Sequence, residues 1–315
     1  MNRRTIDNEG LDNFDEMFPD CRGKEKDVLR ESQLVMLRIL KIVDYICRKN
    51  DIKYCLHGGT LLGAIRHEGF IPWDDDIDIA MMREDMERFI KVAKIELPKD
   101  MFLQTNETDT EYDMPWIKVR DRKSKIEEYK PGNYHRGMFI DIFPLDEYIN
   151  DKEKVLRYKN KYKRIHRLYT LVKEPFETIK SPKLLIKNVI KLMVKILCFP
   201  ITFMSKEKVF KKLKLKRYKI AKEITSSNSN LVGDGVDVMY WTGFYNKNDI
   251  FPLVEVKFED SKFLAPNNYD NFLKATFGDY MKLPPEDQRI PHNLGLKPIL
   301  TEDEIKELNK GFEVK

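Results

Sequence analysis

Cysteine is scarce in this sequence: four residues in 315, Cys21, Cys47, Cys55 and Cys198, with no C-x-x-C pair and no metal-ligand spacing. That argues against a disulfide framework and a thiolate zinc site, and the thiols read as reduced, as in a cytosolic protein. Apolar runs long enough to span a bilayer are missing too. The opening residues, MNRRTIDNEG, are polar and hold no apolar h-region, so the sequence predicts no secretory signal and a cytoplasmic location. No internal repeat or low-complexity linker is present, so the chain reads as one domain with an insert. No RNA-binding motif accompanies the formal charge of +5, which leaves nucleic acid out as a partner. What remains is ample material for a core, with 42% hydrophobic and 35% charged residues.

The most informative stretch is His57–Met82, HGGTLLGAIRHEGFIPWDDDIDIAMM. Asp76-Ile77-Asp78-Ile79 alternates charged and apolar residues, which predicts a strand carrying both carboxylates on one face. Adjacent carboxylates repel, and a cation between them removes that cost. Hard oxygen ligands at this spacing suit Mg²⁺, with Mn²⁺ as a substitute, and substrate phosphates complete such a shell. Upstream, Ile52–Leu56 reads as a strand and Leu61–Arg66 as helical, with Gly58-Gly59-Thr60 between them. Glycine lets backbone approach a phosphate, and a helix N-terminus offers free N–H groups. Asp74 and Asp75 are expected to shape the turn and its negative potential. His67 and His292 have no ligand spacing and are not assigned to metal.

Around this stretch, residues 1–26 look like an irregular arm, and Asp27 caps a predicted helix to about Lys49. Glu84–Ile95 has helical periodicity, and Met114–Asp121 and Met138–Leu145 read as strands. Asp141 lies between Ile140 and Ile142, where a carboxylate must be hydrogen-bonded, paired or metal-bound. Two readings stand: an ion-pair partner of Lys118 or Arg120, or a third acid of the metal site. Arg66, Lys118, Arg120 and Arg289 are candidates for phosphate charge, each with a surface or ion-paired alternative. Trp73 either stacks on a base or quaternary ammonium, or packs beneath its loop. Tyr269–Tyr280 reads as a helix ended by Gly278, and Thr301 with Glu304 predicts a capping box. Alternating strands and helices point to an α/β or α+β domain.

A glycine pair, an Asp-x-Asp strand and a later single-acid strand resemble the nucleotidyltransferase fold. The fuller string, with IDIFPLD further on and FEDSKFLAPNNYDNFLKATFGDYMKLPPEDQRIPHN from Phe258 to Asn293, resembles the LicD family of phosphocholine transferases, whose animal relatives include fukutin. The resemblance runs from about Leu29 to Asn293, with the middle section matching poorly. It implies an α+β fold: a mixed sheet flanked by helices, a catalytic domain over 27–293 with a basic helical insert at about 151–225, and a C-terminal helix in 294–315. It implies that Asp76 and Asp78 hold Mg²⁺, with Asp141 as third ligand or general base. The implied reaction moves phosphocholine, or a related phospho-group, from a CDP-linked donor to a glycan hydroxyl and releases CMP. Two other classes stay open: a nucleotidyltransferase that uses an NTP and releases pyrophosphate, and a non-catalytic membrane- or glycan-binding protein.

The middle section differs in character. From Asp151 to about Lys222, basic residues outnumber acids roughly four to one. Lys183, Lys187, Lys191 and Lys195 recur every fourth residue in an otherwise apolar segment, so a helix would carry them as one stripe. Over 182–204 such a helix could lie in a membrane interface with its lysines at anionic head groups, on the inner face of the membrane. The alternative is a core helix whose lysine edge faces water. A membrane surface suits a lipid-linked glycan acceptor.

Overall fold

A computed structural model describes residues 13–129, 132–178, 180–238 and 243–312. The chain begins with a short helix, α1 (Phe14–Met17), and the long helix α2 (Val28–Lys49). Asp27 caps α2 by accepting the Arg30 N–H, as expected. The arm is packed where it is described: Phe14 is buried edge-on to Tyr45 at 5.7 Å, and Arg22 clamps Asp121 with two bonds of 2.8 and 2.9 Å. Residues 1–12 of that arm lie outside the described residues.

Next come β1 (Cys55–Leu56), α3 (Gly58–His67), β2 (Asp78–Met82), α4 (Arg83–Glu96), β3 (Met101–Gln104), β4 (Ile117–Asp121), β5 (Lys125–Glu127) and β6 (Phe139–Tyr148). The insert supplies α5 (Lys152–Lys173), α6 (Pro182–Leu197), α7 (Phe199–Thr202) and α8 (Lys206–Ile224). The chain then returns through β7 (Leu231–Asp234), β8 (Phe244–Asn246), α9 (Lys247–Ile250) and a hairpin of β9 (Val254–Phe258) and β10 (Ser261–Ala265). It ends with α10 (Tyr269–Phe277), β11 (Gly295–Lys297) and α11 (Glu302–Asn309). Gly278 ends α10 at φ +66, and Thr301 and Glu304 form the expected capping box.

This is an α+β fold around a mixed sheet of order β1-β2-β6-β4-β3, extended by β7 and β8. β6 is the central strand. One edge pairs in parallel with β2, placing Asp78 opposite Asp141. The other edge pairs with β4 as far as Ile142 and with β7 from Leu145 onward. Asp141 directs its N–H to Ile77 of the β2 segment, so Ile142, Pro144 and Asp146 face the β4/β7 edge. Pro144 therefore sits where the partner changes and no ladder N–H is needed. The same alternation sends Ile79 and Ile142 into the core, against which α2 and α4 pack, and leaves Asp78 and Asp141 on the opposite face.

The insert has its own small core. Val155 and Tyr162 of α5 meet Ile220 and Ile224 of α8, and both helices close on Tyr148 and Leu231 at the far end of β6 and β7. α6 differs from the expected core helix with its lysine edge in water, because the middle of that edge is buried. Lys183 and Lys187 are exposed, but the edge turns inward at Lys191, which is 2% exposed and bridges Glu174 and Glu177 at 3.0 and 3.1 Å. Lys187 reaches Glu177 at 2.6 Å, and Lys195 donates to the Glu174 carbonyl. The cause is the pair of acids in the linker before the helix, which lie outside the helical pattern. Among the described residues no helix is long and apolar enough to cross a membrane.

Arg83 ties the two cores together. It grips Asp146 of β6 with bonds of 2.8 and 2.9 Å and Asp237, after β7, at 2.6 Å. Removing one partner strands two buried carboxylates, so Arg83→Ala should cost about 3–5 kcal/mol in urea denaturation. A loss below about 1 kcal/mol would contradict this role.

Candidate active site

The glycine turn is built to bring backbone against carboxylates. Gly58 has φ +51, and a Cβ there would lie 2.9 Å from Asp78 Oδ2; a Cβ on Gly59 would lie 2.9 Å from Asp74 Oδ2. Side chains at either position would displace the acids, so glycine is needed for close approach as well as for conformation. The helix α3 starts at these glycines, earlier than the sequence suggests, and aims its N-terminus at the same acids. Thr60 Oγ1 accepts the Asp78 N–H at 2.8 Å, fixing the first residue of β2 to α3. The strand begins only at Asp78, so Asp76 lies in the extended segment that leads into it.

Asp74, Asp76, Asp78 and Asp141 gather here. Burial first, then Asp76, Asp141 and Asp74, push the Asp78 carboxyl well above its ordinary range, and Lys118 pulls it back in part. Asp74 is pushed up to about 8 by burial and by Asp76. Asp141 is raised by burial and held down by Lys118, which sits 2.8 Å away, while Trp116 Nε1 donates to it at 2.7 Å. The ion-pair reading of Asp141 is thus visible, through Lys118, while its register with Asp78 keeps it in the acidic group.

His292 is the residue that sequence reasoning left aside. Its Nδ1 lies 3.7 Å from both Asp74 and Asp76, and contact with Asp76 raises its pKa to about 9. Asp75 brings it there: fully buried, its carboxylate accepts the N–H groups of His292 and Asn293 at 2.8 and 2.9 Å. Asp74, Asp76 and His292 offer ligand atoms within 4.8 Å of one another. Two carboxylates that repel each other and an imidazole beside them are a donor set compatible with a divalent metal ion.

These groups line a cavity of about 880 Å³ between α3 and the segment after α10. Arg66 lines it and donates to the Tyr280 carbonyl; burial and the neighbouring Arg289 charge lower its pKa. Arg289 donates to the Pro284 carbonyl and lies 5.5 Å over the Trp73 ring. Trp73 packs on the core and lines the same cavity. One guanidinium, that of Arg66, therefore lines a space walled by acids, with Arg289 beside it over Trp73.

Two expected phosphate residues are placed otherwise. Arg120 is fully buried behind β4, bound to Gln104, the Gly137 carbonyl and Glu128, and its donors are directed away from the cavity. Lys118 is buried too, paired with Asp141 and lying 3.2 Å over the Phe139 ring, so it acts through Asp141. For both residues the structure shows the ion-paired alternative, Lys118 with Asp141 and Arg120 with Glu128.

Residues 51–182 match the family described as LicD/FKTN/FKRP, nucleotidyltransferase domain. The lipopolysaccharide cholinephosphotransferase LicD of Haemophilus influenzae is 33% identical over 273 residues, covering 86% of this chain and 97% of that protein. An uncharacterised protein of Rickettsia typhi is 40% identical over 73 residues, 23% of this chain and 24% of its own. The human ribitol 5-phosphate transferase FKRP is 51% identical over 35 residues, 11% of this chain and 7% of its own. With a fold, an acidic cavity and a near full-length relative in agreement, the chain belongs to the LicD family of phosphotransferases.

Proposed function

We propose that the protein transfers phosphocholine from a CDP-linked donor to a hydroxyl of a cell-surface glycan or its lipid-linked precursor, with Mg²⁺ and release of CMP, at the inner face of the membrane. The observation that carries this reading is the crowding of Asp74, Asp76, Asp78 and His292 at one cavity that Arg66 also lines, with Asp141 beside Asp78 on the neighbouring strand. The cholinephosphotransferase named above supports the choice of group.

The acceptor oxygen forms a bond to the phosphocholine phosphorus as the bond from that phosphorus to the CMP oxygen breaks. CMP leaves with the electron pair, and the hydroxyl proton passes to a carboxylate. We assign that base to Asp141, whose pKa is raised by burial and whose charge Lys118 balances. Asp76 and Asp78, joined by Asp74 and His292, are the residues that would hold Mg²⁺. When bound, such an ion neutralises the donor's diphosphate. The Gly58-Gly59-Thr60 backbone and Arg66 and Arg289 orient the phosphates.

Incubation with CDP-choline, CDP-ethanolamine and CDP-ribitol and a hydroxyl acceptor should release CMP, fastest with CDP-choline. Pyrophosphate release from an NTP instead would overturn the reading. Asp76→Asn and Asp78→Asn should each lower CMP release by at least about 100-fold with the circular dichroism spectrum unchanged. Asp141→Asn should lose turnover per folded molecule; a variant that loses only stability would make Asp141 a structural ion-pair partner.

The raised carboxyl and imidazole pKa values have a sign. Each lets the folded state keep protons that the unfolded chain has released, so its stability contribution is complete below the unfolded value and is lost as pH rises through the folded one. For Asp74 that window runs from 3.8 to about 8, and for His292 from 6.5 to about 9. In EDTA the melting temperature should fall across this range, and Mg²⁺ should raise it more at about pH 8 than at about pH 6. A Mg²⁺ effect independent of pH would contradict the cluster as the binding site.

A further inference from the structure

Helix α6 is inside-out. Asn188, Lys191 and Lys195 face the protein, with Lys187 reaching Glu177 from the exposed edge, and Asn188 exchanges hydrogen bonds with the Glu177 backbone at 2.7 and 3.0 Å. At 100° per residue the opposite half of the helix is apolar, and it is the half left open. Ile186, Ile190, Met193 and Leu197 form one stripe and are 60%, 52%, 58% and 81% exposed. Phe199 and Phe203 prolong it through α7, with rings 4.7 Å apart and exposures of 64% and 74%. An isolated exposed leucine needs no explanation, but a contiguous face of this length does.

The polar seam fixes this orientation. Rolling the helix to hide its apolar half would break the bridges from Lys187 and Lys191 to Glu174 and Glu177 and would leave Lys191 buried without a counter-charge. The surroundings are predominantly basic, with Glu174 and Glu177 taken up in those bridges. Residues 182–205 contain four lysines and no acid, and Lys173 is held below its ordinary range by burial and by the charges of Lys195 and Lys206. A second copy of this chain would bring the same positive charge to the contact, whereas an anionic surface would complement it.

We propose that the outward face of α6 and α7 is a membrane-docking surface, in which Ile186, Ile190, Met193, Leu197, Phe199 and Phe203 enter the acyl region of a bilayer with anionic head groups while the lysine edge holds the helix to the protein. The contact is hydrophobic in its main part, with the positive field of the insert adding attraction. It rests on the insert's surface and not on the reaction, so its failure leaves the proposed chemistry untouched.

The test is co-sedimentation of the full-length protein with vesicles of phosphatidylethanolamine and phosphatidylglycerol. The wild type should sediment, and the triple variant Ile190→Gln, Met193→Gln, Leu197→Gln should bind about tenfold or more weakly with an unchanged melting temperature. Phe203→Trp should give fluorescence beyond the parent's that brominated lipid quenches, a readout that survives if the triple variant fails to fold. A wild type that does not sediment, a triple variant that binds as well, or an unquenched Trp overturns the proposal. So does self-association without vesicles that the triple variant abolishes, because the face would then belong to a second copy.

Discussion

Mutual repulsion among Asp74, Asp76, Asp78 and Asp141 is the constraint on which the site depends. Each would be easier to keep apart, yet the fold forces them together. β2 and β6 run parallel in a register that sets Asp78 beside Asp141. Gly58 and Gly59 admit the α3 backbone to within a methyl group's distance of two of the carboxylates. The partial compensation comes from three directions: Lys118 on Asp141, the α3 N-terminus, and His292 carried in from the far end of the chain on Asp75. The remaining negative potential, next to Arg66 and Arg289, is what a metal ion and a diphosphate together would neutralise.

The insert reaches this site through specific bonds. Lys159 of α5 donates to the Asp234 carbonyl at 2.7 Å, and the same Asp234 lines the cavity beside His57. Arg83 links β6 to Asp237 just after β7. α5 and α8 thus bring their own core together with a bonded contact to the cavity wall.

Local signals were legible in the sequence and distant ones were not. Asp27, Gly278 and the Thr301–Glu304 box mark helix ends through bonds that close within a few residues, and the structure has all of them. The alternation around Asp78 and Asp141 placed both strands, because burial on one face imposes a period of two. The same pattern extended β2 two residues too far, to Asp76, since a polar-apolar alternation persists in the extended chain before a ladder begins. His292 has no local signature at all; it arrives by Asp75, 217 residues away in sequence. The partners of Arg120 and of the α6 lysines were hidden for a related reason. Their counter-charges, Glu128, Glu174 and Glu177, lie outside the elements that carry them, and a periodic pattern reports that a helix has two faces without saying which one is turned inward.

The central claim, that these acids and His292 form one cation site, is tested most directly by diffraction from crystals grown with Mn²⁺ and CDP. The anomalous difference map should place its strongest peak among the carboxylates of Asp76 and Asp78, next to His292 Nδ1. A peak elsewhere, or an acidic cluster without one at saturating Mn²⁺, would contradict the account.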